Sequence, residues 1–168
     1  QVFAGSRIPR RIQLTGDIKT AVTDKEIIVL AIPSQYTRGI LSRIKGKFAK
    51  KTIFLSVTKG IEVSSSKRMS EVIQATLGQV KLGVLSGPTI AQEVAKGIPT
   101  TIVAASRDKK IRKAIQEIFS TERLRVYTNP DVIGVELGGS LKNIIAIACG
   151  VSDGLGFGTN TKAAILAR

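Results

Sequence analysis

Lys142 is a charged residue in a long, nearly uncharged stretch that is rich in glycine and alanine. Glycines at positions 134, 138 and 139 precede it, and on a helix they would clear much of one side for another backbone or a flat ligand. Lys142 lies four positions after Gly138, so its side chain would emerge beside that cleared side. The pattern predicts a lysine at the edge of a binding surface.

The chemistry available to Lys142 is narrowed by the absence of histidine from the sequence. Without histidine there is no Ser-His or Cys-His nucleophile pair and no His-ligated metal site. We expect no metal site. Burial on an apolar helix lowers the pKa of a lysine, which lets it act as an acid or base near neutral pH. The pattern favours a catalytic Lys142, and the alternative is a structural lysine paired with Glu136 or Asp131.

A second lysine, Lys59, follows an apolar run and precedes Gly60. Glycine allows a tight turn there, and the turn would hold the ammonium where it could bind a phosphate. The alternative is a solvated loop lysine, and this motif alone does not separate the two.

Residues 86–89, Ser-Gly-Pro-Thr, lie between a candidate strand and a candidate helix. Thr89 or a neighbour could cap the helix, whose free amide groups would attract a phosphate. The alternative, which this motif alone favours, is a plain strand-to-helix turn.

Short apolar runs alternate with amphipathic stretches along most of the chain, which indicates an α/β fold with a partial Rossmann-like parallel sheet and helical crossovers. The candidate strands are residues 26–32, 52–57, 81–85, 100–104 and 125–127. The candidate helices are residues 34–44, 66–76, 89–96 and 109–119. Ligands bind beyond the carboxyl ends of parallel strands, so the turns after the first three strands should share one rim.

The pattern changes after Pro130, where residues 131–154 predict one long buried helix. We place a domain boundary near Asn129. Residues 1–129 would form a partial cofactor-binding domain, and residues 130–168 would begin an all-helical substrate domain.

Composition excludes several classes of protein. The net charge of +14 favours an anionic partner, but only 4% of residues are aromatic and the charges are scattered, so we expect no nucleic-acid partner. Apolar runs such as residues 27–33 are too short to span a bilayer, which predicts no membrane segment. Cys149 is the single cysteine, predicted to be a packed core thiol in a reducing compartment.

Six motifs occur in a specific order along the chain. They are Ile-Pro-Ser-Gln at 32–35, Thr-Lys-Gly at 58–60, Leu-Ser-Gly-Pro-Thr-Ile-Ala-Gln-Glu-Val at 85–94, Asp-Val-Ile-Gly-Val-Glu-Leu-Gly-Gly at 131–139, Leu-Lys-Asn at 141–143 and Asp-Gly-Leu-Gly at 153–156. Each is weak alone, but together they strongly resemble bacterial-type NAD(P)-dependent glycerol-3-phosphate dehydrogenase. That family interconverts glycerol 3-phosphate and dihydroxyacetone phosphate with NAD or NADP, chiefly for phospholipid synthesis.

The resemblance implies a role for six residues. Lys59 would contact both cofactor and substrate, Gly87 and Thr89 would contact the substrate, and Ala91 would contact the cofactor. Lys142 would bind substrate and act as the general acid and base, with Asn143 supporting its position.

The resemblance also implies missing parts. The family's Gly-x-Gly-x-x-Gly turn, which cradles the cofactor pyrophosphate, does not occur in the sequence. We therefore expect an internal fragment that is inactive alone, from a cytoplasmic protein that is a homodimer at full length. Three alternatives stay open: a related hydroxyacid dehydrogenase, an inactive binding remnant of the fold and a basic nucleic-acid binder.

Overall fold

The computed structural model describes residues 8–167 of the chain. Its elements in chain order are α1 (Ile18–Val22), β1 (Ile27–Leu30), α2 (Ser34–Ile44), β2 (Ile53–Ser56), β3 (Ile61–Glu62), β4 (Lys67–Arg68), α3 (Met69–Leu77), β5 (Lys81–Ser86), α4 (Ala91–Ala95), β6 (Thr100–Ala105), α5 (Lys109–Phe119), β7 (Leu124–Asn129), α6 (Val132–Gly154) and α7 (Thr159–Ala167). The predicted α/β class is confirmed. The short α1 helix and the β3–β4 hairpin were not predicted.

Within residues 8–167, the main sheet has five strands in the order β1-β2-β5-β6-β7. Strands β1, β2 and β5 are parallel as predicted. Strand β6 pairs with β5 in the antiparallel direction, and β7 is parallel to β6. The predicted Rossmann-like parallel sheet is therefore a mixed sheet, in which β5 and β6 form an antiparallel pair. Residues 87–99, which connect β5 to β6, contain only the five-residue helix α4. Strand β6 starts at the rim where β5 ends, since Ser86 pairs with Val103 and Val84 pairs with Ala105.

The central strands are buried on both faces, as their apolar runs predict. Phe54 of β2 lies in a core with α2 and α3, and the next residue, Leu55, lies in a second core with α5 on the opposite face. Both side chains are fully buried. Adjacent residues of one strand thus serve two hydrophobic cores.

Helix α5 has the bounds that its periodicity predicts. Ile111 and Ile115 are its buried residues, and Asp108 caps its start by accepting a hydrogen bond from the Lys110 amide. Gly83 of β5 allows the close approach of this helix, because a Cβ there would overlap Cδ1 of Ile115.

The β3–β4 hairpin is attached to α2 by a buried carboxylate. Arg38 donates from Nε and Nη2 to the two oxygens of Glu62 at 2.9 and 2.6 Å. Ser65 also donates to Glu62. The hydrogen bonds from Arg38 and Ser65 lower the pKa of Glu62 from its ordinary 4.5 to about 2.

Helix α6 forms as one 23-residue helix, but the prediction that it is buried is wrong for the described chain. Only Glu136 and Ser152 are buried on it, and Ile144 and Ile147 are 63% and 67% exposed. Cys149 is partly exposed rather than packed in a core.

By length and composition alone, α6 could cross a membrane, with a mean hydropathy of 1.5. Apolar core helices of soluble proteins have the same properties, so this is weak support for a membrane segment. The expectation of no membrane segment stays a prediction.

Candidate active site at the carboxyl rim of the sheet

The turns that follow β1, β2 and β5 are brought together at one edge of the sheet. Thr58, just after β2, donates through Oγ1 to the carbonyl oxygen of Ile32 at 2.8 Å, which joins the first two turns. Lys59 joins the second turn to the third, because its Nζ donates to the carbonyl oxygen of Gly87 at 2.7 Å. The three turns thus form one rim, as the parallel arrangement of these strands predicts.

Gly60 is required by the turn after β2. Its φ of 142° lies in the region that favours glycine, and a Cβ there would lie 2.8 Å from Oγ of Ser34. Its amide also donates to Oγ of Ser140 on α6 at 3.1 Å. The turn that carries Lys59 is therefore fixed to α6.

Lys59 is held in place and partly buried, which contradicts the alternative of a solvated loop lysine. Besides its bond to Gly87, Nζ donates to Oγ1 of Thr89 at 3.2 Å. Burial lowers the pKa of Lys59, and the positive charge of Lys142 lowers it further. Two neutral oxygens and a neighbouring cation thus surround this ammonium.

The cap predicted at Thr89 or a neighbour falls on the neighbour, Ile90, and not on Thr89 itself. The N-cap of α4 is Ile90, without a side-chain hydrogen bond, and α4 is a single short turn that begins at Ala91. Thr89 accepts instead from Lys59.

Gly87 has a steric reason to be glycine. A Cβ there would lie 3.0 Å from both Cα of Ile102 and the carbonyl oxygen of Thr101 on β6. The close packing of β5 against β6 thus accounts for the glycine without a ligand, and its contact with substrate stays a prediction.

Helix α6 approaches the rim through one of its glycines. A Cβ on Gly139 would lie 2.5 Å from Oγ of Ser86 and 3.6 Å from Cγ of Lys59. A Cβ on Gly138 would meet nothing within 4 Å, and one on Gly134 would meet only Asp131, the N-cap of α6. The predicted glycine face is therefore reduced to Gly139.

Lys142 lies one helical turn beyond Gly139, on the side of α6 that faces Lys59. Its Nζ donates to Oδ1 of Asn143 at 2.6 Å, in line with the predicted support from that residue. The predicted burial of Lys142 is wrong, since the side chain is exposed in the described chain.

The structural alternative for Lys142 is contradicted by the partners of the two carboxylates. Glu136 pairs with Arg68 at 2.6 Å, and Asp131 accepts from the amide of Gly134. Among residues 8–167, neither Lys59 nor Lys142 forms an ion pair.

Arg68, Ser70 and Glu136 form a buried polar cluster that sequence reasoning missed. The only signal was a carboxylate, Glu136, in the apolar first half of the helix, which must find a donor when buried. Its partners lie more than 60 residues earlier, so no local pattern identifies them.

An open groove of about 410 Å³ lies beside Lys59. Its lining within the described residues consists of Val57, Lys59, Leu85, Thr89, Ala91, Val94, Ala95, Ile102 and Leu124. A mostly apolar wall with one ammonium and no carboxylate suits the flat ring end of a nicotinamide cofactor. Lys59 and Ala91, the two predicted cofactor contacts, both line the groove. Residues 8–167 contain no group of His, Cys, Asp or Glu side chains that could hold a metal ion.

Two family models match the chain. The N-terminal model of NAD-dependent glycerol-3-phosphate dehydrogenase matches residues 1–112, and the C-terminal model matches residues 131–168. The chain belongs to the NAD-dependent glycerol-3-phosphate dehydrogenase family. The resemblance inferred from the six motifs is confirmed.

The curated relatives of this chain are about twice as long as the chain itself. It is 52% identical over 161 residues to the NAD(P)+ glycerol-3-phosphate dehydrogenase of a Thermoanaerobacter species, covering 96% of the chain and 48% of the relative. The corresponding protein of Halothermothrix orenii is 46% identical over 99% of the chain and 48% of the relative. The chain thus spans about half the length of the curated relatives it matches.

Solved structures of the family confirm the fold. A Coxiella burnetii glycerol-3-phosphate dehydrogenase matches with a TM-score of 0.79 at 40% identity, over 90% of this chain and 46% of the other. The Saccharomyces cerevisiae enzyme matches with a TM-score of 0.86 at 32% identity, over 96% of this chain and 48% of the other. The boundary near Asn129 and the roles of individual site residues stay predictions.

Proposed function

We propose that this chain forms part of an enzyme that interconverts sn-glycerol 3-phosphate and dihydroxyacetone phosphate with NAD or NADP, and that Lys142 is its general acid and base. The proposal depends above all on the placement of Lys142, one helical turn beyond Gly139, beside Lys59, which lines the apolar groove. Family membership and the names of the relatives support the choice of substrate and cofactor.

The two lysines suit an anionic substrate. A phosphate ester attracts ammonium groups, and neither Lys59 nor Lys142 is neutralised by a carboxylate within the described residues. The hydroxyl of Thr89 lies within hydrogen-bonding distance of Lys59 and adds a further polar group. Lys59 is already fixed by two hydrogen bonds, so it needs little reorganisation to meet a substrate.

Lys142 would carry the proton. The bound cofactor supplies hydride to the ketone carbon or accepts it from the alcohol carbon. When the ketone is reduced, Nζ of Lys142 gives a proton to the developing alkoxide, and in the reverse direction it takes the hydroxyl proton. The bond from Nζ to Asn143 holds the ammonium during this exchange.

Lys59 and Ala91 would hold the ring end of the cofactor, because both line the apolar groove. The pyrophosphate needs other residues, since the sequence has no glycine-rich phosphate turn. We therefore propose that the 168-residue chain alone has no dehydrogenase activity.

The test uses the complete protein that carries this chain, assayed for dihydroxyacetone phosphate reduction with NADH and NADPH. Lys142→Met should lower kcat by about 10²- to 10⁴-fold, the usual contribution of a general acid. The matched control is Lys110→Met, which removes an exposed charge from α5 and should leave kcat unchanged. A Lys142→Met protein with the kcat of the unsubstituted protein would contradict the assignment.

A substrate profile of the complete protein distinguishes the proposed function from its nearest alternatives. A complete protein that reduces 2-keto acids but not dihydroxyacetone phosphate would be a related hydroxyacid dehydrogenase. One that binds NADH without turnover of either substrate would be a binding remnant.

We also propose a cytoplasmic location, a homodimeric state and a contribution to phospholipid synthesis for the complete protein. A single cysteine, which cannot form an internal disulfide, suits a reducing compartment. The dimer and the phospholipid role rest on the family resemblance. Light scattering of the purified complete protein tests the dimer.

A further inference from the structure

Glu136 is the one buried carboxylate described on α6, and it contacts the start of α3. Its side chain is 5% exposed. It accepts hydrogen bonds from the amide of Ser70 at 2.7 Å, from Oγ of Ser70 at 2.6 Å and from Nη1 of Arg68 at 2.6 Å. Three donors, one of which is the cation Arg68, thus satisfy a carboxylate that would otherwise be costly to bury.

The same side of α6 makes a second polar contact one turn later. Ser140 donates from Oγ to the carbonyl oxygen of Glu136 at 2.8 Å and accepts from the amide of Gly60 at 3.1 Å. Gly139, between these contacts, rests on Ser86. Helix α6 is therefore attached at α3 and at the turn that carries Lys59.

These contacts set the helix in one register. Apolar contacts are non-directional and allow a helix to slide, whereas hydrogen bonds to three fixed donors do not. A shift of α6 by one residue would move Lys142 by about 1.5 Å along the axis and turn it by about 100°. Such a shift would carry its ammonium away from Lys59.

We propose that Glu136 is a positioning residue whose carboxylate fixes the register of α6 so that Lys142 stands beside Lys59. The role of this placement in catalysis rests on the proposed function. The position of Lys142 beside Lys59 does not depend on that function. Glu136 touches neither the groove nor Lys142, so it acts through the helix.

The experiment measures the placement directly in the 168-residue chain. The pKa of Lys59 is followed by NMR titration of lysines carrying ¹³C, with and without Lys142→Met. Removing the neighbouring positive charge should raise the pKa of Lys59. This rise reports that the two lysines are adjacent, and general stability does not affect it while the chain stays folded.

Glu136→Gln should abolish the rise, because an amide cannot accept from all three donors and leaves Arg68 without its buried partner. The matched control is Glu117→Gln, which removes an exposed carboxylate on α5 that pairs only with Lys113. In that control the rise should persist. A rise of equal size in Glu136→Gln would overturn the proposal, as would its absence in the unsubstituted chain.

If circular dichroism shows that the Glu136→Gln chain does not fold, the Ser70→Ala chain is measured instead. That substitution removes one hydrogen-bond donor to Glu136 and keeps its ion pair with Arg68. A smaller rise in Ser70→Ala supports the proposal, and an unchanged rise overturns it. Because no outcome depends on enzyme activity, the proposed function can fail while the positioning role holds.

Discussion

The two halves of α6 belong to one continuous helix but have very different surroundings. In the first half, Glu136 is buried under Arg68, Gly139 lies against Ser86, and Ser140 bonds to the turn after β2. In the second half, large aliphatic side chains such as Ile144 and Ile147 are mostly exposed. The half that is attached to the sheet is attached by polar groups and a glycine.

This difference shows that hydropathy does not identify the contact surface of a helix. Burying each exposed isoleucine of the second half would contribute about 1.5–3 kcal/mol, yet no described element covers these residues. The first half is attached because its carboxylate, hydroxyl and glycine match specific groups at the start of α3, in the turn after β2 and on β5. We expect substitutions in the two halves to differ sharply in effect.

The largest effect should come from filling the space between α6 and β5. Gly139→Leu would place side-chain atoms where Ser86 and Lys59 already lie, so the free energy of unfolding should fall by about 1–3 kcal/mol. Gly138→Leu, one residue earlier in open space, should be neutral or stabilising, because leucine favours helix more than glycine does. Urea denaturation of both variants measures the difference, and equal losses would remove the distinction between the glycines.

A smaller and pH-dependent effect is expected at Glu62, whose burial under Arg38 repeats the chemistry of the Glu136 cluster away from α6. The pKa of Glu62 is lowered from 4.5 to about 2 in the folded chain, so its stabilising effect is complete above pH 4.5 and is lost as the pH falls toward 2. Glu62→Gln should unfold more easily at neutral pH and lose less further stability over that acid range. Denaturation midpoints across this range test the expectation, with Glu117→Gln as control. A curve for Glu62→Gln parallel to that of the unsubstituted chain would show that the carboxylate is not held by Arg38.

The smallest effect belongs to the exposed half of α6. Ile147→Ser replaces a side chain that is 67% exposed, so the free energy of unfolding should change by no more than about 0.5 kcal/mol. A loss several times larger would mean that another surface covers this half in solution. Sedimentation of the chain over a range of concentrations would show whether that surface is a second copy.

The sequence predicted the helices and strands whose positions depend on the hydrophobic pattern of neighbouring residues. The bounds of α2 and α5 follow from their periodicity, and Phe54 and Leu55 follow from a strand buried on both faces. The direction of β6 did not follow, because its antiparallel pairing with β5 joins two segments whose relative direction no local pattern specifies. The two-residue strands β3 and β4 carry no periodic signal.

The candidate site likewise contains residues that the sequence predicted and contacts that it could not predict. Lys59 and Lys142 could be singled out from their unusual settings and from the family motifs. The role of Thr89 as a partner of Lys59 rather than a cap depends on where α4 begins, which the sequence does not specify to one residue. The pairing of Arg68 with Glu136 joins distant segments, so only the folded chain shows it.

Helix α6 brings Lys142 next to Lys59, and amine cross-linking tests this placement most directly. A short bifunctional amine reagent, applied to the 168-residue chain and followed by mass spectrometry, should join Lys59 to Lys142 across the rim. The lowered pKa of Lys59 should make it one of the more reactive lysines. A chain in which Lys142 cross-links to other lysines and never to Lys59 would contradict this account of the site.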